Sequence, residues 1–152
     1  MQQPVVVRSV DGELVWYPPG NSGQALALSE RGELSRLQAT AGARRAPLVF
    51  AVPGADVVLR EVSFKASEKR HIAGSLPYLL EDEFAADIET LHFASRPVSR
   101  LSLGVAACAR ARMSEWDELL DELPELPNWV PEALLLPWQS GELTLVIGPE
   151  NV

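Results

Sequence analysis

The residue types that most often carry chemistry are few in this chain, and their spacing does not assemble them. The only histidines, His71 and His92, stand 21 positions apart, and neither opens a metal-ligand motif with cysteines or carboxylates. Both are expected to be structural, His71 near a helix surface and His92 alternating out of a strand. The single cysteine, Cys108, sits in Gly104-Val105-Ala106-Ala107-Cys108-Ala109, among small apolar residues. A nucleophilic thiolate needs a neighbouring base, and no motif links either histidine to it, so Cys108 is expected to pack in the core. A lone thiol forms no internal disulfide, which fits a reducing compartment. The serines form no Gly-x-Ser-x-Gly elbow, so a hydrolase triad has no support.

Acid is the chemistry that remains. Glu81-Asp82-Glu83 is followed by Asp87 and Glu89. Helical spacing predicts that Glu81, Asp82 and Glu83 occupy the last turns of a helix, where the backbone dipole favours cations instead. Glu83 and Asp87 are four apart, so on one helix they would repel along a shared face. A local rule broken without local compensation points to a partner that brings positive charge. Glu81, Asp82, Glu83 and Asp87 are therefore the candidate partner-binding residues. On electrostatics alone an ordinary solvated face accounts for them equally well. A second group, Glu115, Asp117, Glu118, Asp121, Glu122 and Glu125, lies opposite Trp116, Leu120 and Leu123 on its own helix, and reads as a solvated outer face.

The bulk properties bound what these residues can serve. A chain of 152 residues with 47% apolar and 22% charged residues holds one ordinary domain with a hydrophobic core. Acids outnumber bases 21 to 13, giving a formal charge of −8. That excess repels phosphate backbones and argues against nucleic acid as a partner. No apolar stretch approaches the roughly 20 residues that cross a bilayer, and Met1-Gln2-Gln3-Pro4 lacks the basic-then-apolar start of a signal peptide. From composition the chain is expected to be soluble and cytoplasmic.

The elements that position the acids follow from periodicity. Val5 to Val10 and Glu13 to Tyr17 flank Asp11-Gly12, a strong hairpin signal because both turn positions tolerate positive φ. A third strand is expected over 25–28, then a short helix over 30–38 capped by Ser29. Leu48 to Val52 is an unbroken apolar run of the kind buried on both faces, and Val57 to Val62 is a further strand. Ser67 is expected to cap a helix to about residue 86, with Ile72, Leu76, Leu79, Leu80 and Phe84 inward and a kink at Pro77. Strands are expected over 89–94 and 101–109, then a helix capped by Ser114. Residues 130–138 form a short apolar element bounded by prolines. A last strand over 142–147 is too little to build a core alone, so the natural protein is expected to continue. Together these elements define a mixed α/β chain.

Beyond periodicity, the phrases themselves carry information. The chain contains Pro53-Gly54-Ala55-Asp56-Val57-Val58-Leu59-Arg60-Glu61-Val62-Ser63 and Leu76-Pro77-Tyr78-Leu79-Leu80-Glu81-Asp82-Glu83. Asp87-Ile88-Glu89-Thr90-Leu91-His92-Phe93-Ala94, Arg112-Met113-Ser114-Glu115-Trp116 and Val130-Pro131-Glu132-Ala133-Leu134-Leu135-Leu136-Pro137 follow. In this order they resemble the type II secretion system protein L family, over about 48–138. The resemblance implies a ribonuclease-H-like half of an actin-like fold over 1–138, with 139–152 as the first strand of a second half. It implies a single-pass inner-membrane protein with a cytoplasmic N-terminal region that docks the N-terminal domain of the secretion ATPase. The membrane span, the periplasmic domain and the contacts with protein M would lie beyond Val152.

An actin-like fold raises the question of ATP. Nucleotide-binding members place an acid and glycines in the first hairpin. Here the only candidate is Asp11-Gly12, with no Ser- or Thr-rich loop after it and no Lys or Arg at its tip. A plain turn is expected, with no cofactor and no catalysis. Trp129, Trp138 and Leu134 to Leu136 are expected to pack against the second half in the whole protein, and in this chain to be exposed and drive homodimer formation, one form of which pairs the terminal strand with another copy.

Overall fold

The computed structural model describes residues 4–17, 47–121, 123, 127–137 and 139–144. The expected third strand over 25–28 and the helix over 30–38 lie outside them.

Two sheets share the described residues. The first is ordered β2-β1-β3-β7, from β1 (Val5–Val10), β2 (Glu13–Tyr17), β3 (Leu48–Val52) and β7 (Asn128–Pro131). The β1–β2 hairpin turns on Asp11 (φ 51°) and Gly12 (φ 77°), two positive φ angles that match the strand twist. β3 runs parallel to β1, and β7 parallel to β3. All five residues of β3 are buried, as its unbroken apolar run requires. β7 was not foreseen, because four residues between prolines carry too little pattern to register as a strand.

Between β3 and β7 the chain builds the second sheet, ordered β4-β6-β5 and fully antiparallel. It comprises β4 (Val57–Ser63), β5 (Leu91–Ser99) and β6 (Ser102–Ala109). Helix α1 (Ile72–Leu79) lies between β4 and β5, and helix α2 (Arg110–Leu120) follows β6. A hairpin followed by parallel strands, with helices in the connection from β3 to β7, is the ribonuclease-H-like half of an actin-like fold. Of the expected last strand, Glu142 to Thr144 carry no strand pairing and the rest lies outside the described residues.

Two apolar clusters hold the pieces together. One gathers Val5, Val7, Leu48, Phe50, Val52, Cys108, Trp116, Leu120 and Leu123. Phe50, Trp116 and Trp129 meet there with tilted or edge-on rings, their centroids 5.3 to 6.1 Å apart, geometries that add to area burial. Trp129 is thus part of the core and not the exposed anchor expected of it, while Trp138 lies outside the described residues. The other cluster joins Phe64, Ile72, Leu76, Leu80, Leu103 and Val105, with Phe84 edge-on to Phe93 at 5.7 Å. β6 serves both clusters by alternation, sending Leu103 and Val105 under α1 and Cys108 into the larger core.

Both helices start and stop away from the expected points. α1 begins at Ile72 and ends at Leu79, two residues after Pro77. Ser67 lies instead in a separate 3-10 turn, Ala66–Glu68, which Glu68 closes by accepting the Lys65 N–H at 2.8 Å. The chain leaves α1 because Leu80 (φ −107°, ψ 2°) and extended Phe84 turn inward to reach the core. α2 starts at Arg110, directly off β6, and Ser114 is internal, its hydroxyl donating to the Arg110 carbonyl. The first turn of α2 therefore carries bases, and Glu115, Asp117, Glu118 and Asp121 are exposed, while Glu122 and Glu125 lie outside the described residues. Among the described residues no helix is long and apolar enough to cross a membrane.

Candidate functional site

The four acids singled out by sequence do not share a helix face. Glu81, Asp82 and Glu83 form a 3-10 turn of their own, Glu81–Glu83, beyond the end of α1. Asp87 lies four residues further on, outside any helix. The expected repulsion between Glu83 and Asp87 along one helix is therefore absent.

Each acid has a distinct environment. Glu83 reaches back to β4 and accepts from Arg60 Nε at 2.7 Å. Both side chains are nearly half exposed, so the pair contributes at most about 1 kcal/mol. Asp87 is engaged by its own backbone: its carboxylate accepts the Glu89 N–H at 2.9 Å and its carbonyl accepts the Thr90 hydroxyl at 2.6 Å. Asp87 is thus a turn cap. Glu81 and Asp82 are exposed and make no ion pair among the described residues.

Sequence reasoning missed the apolar neighbour of those two carboxylates. Tyr78 is 72% exposed and Leu79 56% exposed, at the last turn of α1. The inward stripe of α1 is Ile72, Leu76 and Leu80, so Tyr78 and Leu79 fall off it by helical geometry. Leu79 was expected inside because its spacing from Leu76 also suits a buried stripe. Large exposed apolar groups beside acids that make no ion pair among the described residues suit a basic, partly apolar partner.

A second constellation is structural. Glu132 accepts the Gly54 N–H at 2.7 Å and an Arg8 amino group at 2.9 Å. A Cβ on Gly54 would stand 3.0 Å from that same carboxylate, so a side chain there would push the Glu132 carboxylate back by a few tenths of an ångström. Asp56 accepts two bonds from Arg112, at 3.2 and 3.3 Å, and Arg112 lies 5.1 Å above the Trp116 ring. The Asp56 contact raises the Arg112 guanidinium further above its ordinary value. Three of the phrases quoted from the sequence therefore meet at the joint between the sheets, where they fix geometry.

The remaining candidates are quiet. Cys108 is buried, and burial, with Asp56 adding, pushes its thiol above the ordinary value. His71 is exposed just before α1, and His92 is half-buried on β5. Among the described residues no group of histidine, cysteine and carboxylate side chains is arranged to hold a metal ion. A cavity of about 350 Å³ lies between the second sheet and β7, lined largely by apolar groups such as Leu59, Ala106, Trp129 and Leu134.

The described elements thus form an α/β fold of the actin-like kind. The chain matches the family described as "Type II secretion system (T2SS), protein L" over residues 13–151. It belongs to that family. Relatives include the type II secretion system protein L of Pectobacterium carotovorum subsp. carotovorum, 28% identical over 130 residues, covering 83% of this chain and 30% of the relative. The Klebsiella pneumoniae protein of the same name is 30% identical over 96 residues, covering 62% of this chain and 24% of that one. The chain thus spans under a third of the length of these relatives. Its fold is similar to that of the cytoplasmic domain of EpsL, an inner-membrane component of the type II secretion system of Vibrio cholerae. That likeness has a TM-score of 0.62 at 21% identity, covering 90% of this chain and 60% of that one.

Proposed function

We propose that this chain is the N-terminal part of the cytoplasmic region of a non-catalytic inner-membrane scaffold, and that it docks the N-terminal domain of the secretion ATPase. The observation that carries the reading is the exposed pair Tyr78 and Leu79 beside exposed Glu81 and Asp82, which make no ion pair among the described residues. In this arrangement apolar contact supplies affinity, while the acids steer a basic partner and reject acidic ones. Glu83 and Asp87, each held within the chain, shape the surface.

Residues 1–138 are the first half of the actin-like region, and 139–152 begin the second. The membrane span, the periplasmic domain and the contact with protein M belong to sequence after Val152. The non-catalytic reading draws on the Asp11-Gly12 turn, whose two positive φ angles serve to close a two-residue hairpin. The chain is also proposed to pair with a second copy.

Calorimetric titration with the N-terminal domain of the cognate ATPase, at low and high salt, tests the docking role. Saturable binding that weakens with salt is the expected result. Absence of binding by the folded chain would remove the docking role from this part of the protein.

A further inference from the structure

The second sheet has two unlike faces. Val105, on its middle strand, is buried in the cluster beneath α1, and Arg60 of β4 reaches Glu83 beyond the end of that helix. Alternation therefore turns Leu59, Glu61, Gly104 and Ala106 to the other face. Strand register adds Ala94, opposite Ala106, and Arg96, opposite Gly104. That face is one wall of the cavity of about 350 Å³, and Trp129, Pro131 and Leu134 stand on the wall across from it.

The sheet wall is ordered in rows across the strands. Leu59, Ala106 and Ala94 make an apolar row with a shallow middle. The next row, about 7 Å further along the strands, runs from Glu61 over Gly104 to Arg96. Its floor is glycine because Val98 leans there, 2.9 Å from where a Cβ would stand. Glu61 and Arg96 are exposed and make no ion pair among the described residues. Their backbones are two strand spacings apart, about 10 Å. The row thus offers one negative and one positive anchor on either side of a low floor.

Size and edges select the occupant. One turn of α-helix with its side chains takes about 500 Å³, more than the cavity holds, whereas extended chain takes about 160 Å³ per residue. β7 ends its sheet, so its outer edge has no strand partner among the described residues. Trp129, Val130 and Pro131 line the cavity in succession, so backbone as well as side chains borders it. An extended segment can pair with such an edge. Its neighbouring side chains point opposite ways, which lets a base turn to Glu61 and the adjacent acid to Arg96. We propose that this cavity binds an extended segment of a partner protein, apolar at Ala106 and Trp129 and carrying an adjacent base and acid for Glu61 and Arg96. The site lies on the face of the sheet away from α1, so its partner and the ATPase domain are held at the same time. It does not rest on the docking reading.

The test is selection from a displayed library of random peptides on the 152-residue chain, followed by titration of the selected peptides. The expected binders are apolar sequences with an adjacent base and acid, with dissociation constants of about 10–100 µM. A106W fills the cavity from its floor and abolishes their binding, with the circular dichroism unchanged. E61R/R96E keeps the net charge and spares the floor, so it decides the matter even where A106W fails to fold. It weakens the selected peptides about tenfold, and peptides with the base and acid exchanged recover the loss. A library that yields no binder, or binders indifferent to the variants, overturns the proposal. So does a wild-type dimer that A106W dissolves, which seats a second copy in the cavity. Loss of peptide binding in the whole cytoplasmic region also overturns it, because the protein's own later sequence then fills the site. E81Q/D82N leaves peptide binding unchanged, so this reading and the docking reading fail separately.

Discussion

The two sheets of this chain bury their strands to very different degrees. In the first, β3 is buried at every residue and β1 at its first and third. In the second, the last six of the nine residues of β5 are exposed, and β4 is nowhere fully buried. The first sheet is thus the foundation, closed by Phe50, Trp116 and Trp129. The second is centred on β6, which is mostly buried, and exposes its outer strands β4 and β5. The candidate docking residues lie beside that sheet, at the end of α1 and in the turn after it.

The comparison breaks most readily at Phe50. Phe50→Ala removes a fully buried ring that contacts two tryptophans, and is expected to cost about 3–5 kcal/mol by urea denaturation. Leu76→Ala, in the smaller cluster, is expected to cost about 2–4 kcal/mol. Hydrogen exchange should show its effect in β4 and β5 before β1 and β3. Equal loss of protection in both sheets would mean that the clusters open as one unit.

The joint between them should matter less. Arg112→Ala removes both bonds to Asp56 and the stacking on Trp116, and a loss of about 1–3 kcal/mol is expected in thermal or chemical melts.

Smaller still is the effect of Cys108. Its thiol is raised in the folded chain, so folding favours the neutral form. That contribution is fully present below the unfolded thiol value and is lost as pH rises from there through the higher folded value. Alkylation at mildly alkaline pH is therefore expected to be much slower in the native chain than in urea. Equal rates would mean that the thiol is open to solvent.

What the sequence could reveal divides along the same line. The foundation was legible in part: Asp11-Gly12 marked the hairpin, the apolar run of β3 marked a central strand, and Trp116 and Leu120 marked the inner face of α2, while β7 and the packing of Trp129 were missed. The marked residues act through local turn chemistry and periodicity, which sequence reports directly. The second sheet and α1 were less so. Helical spacing through Leu79, Leu80 and Phe84 extended α1 too far, because the inward packing of Leu80 and Phe84 is met by a turn and an extended residue after it as readily as by a helix. Consequently Glu81 and Asp82 were found but their apolar neighbours Tyr78 and Leu79 were not. The joint formed by Glu132, Gly54, Arg8, Asp56 and Arg112 spans up to 124 positions of sequence, and no local pattern encodes such a meeting.

The central claim is that the end of α1 docks the ATPase through Glu81 and Asp82, with Glu83 and Asp87 held within the chain. The most direct test is to titrate two charge-matched variants, E81Q/D82N and E83Q/D87N, with the ATPase N-terminal domain at low salt. Each pair removes the same charge, so any general field effect is equal between them. The account requires E81Q/D82N to weaken binding about tenfold or more and to flatten its salt dependence, with E83Q/D87N close to wild type. Equal behaviour of the two variants, or a larger loss from E83Q/D87N, would contradict it.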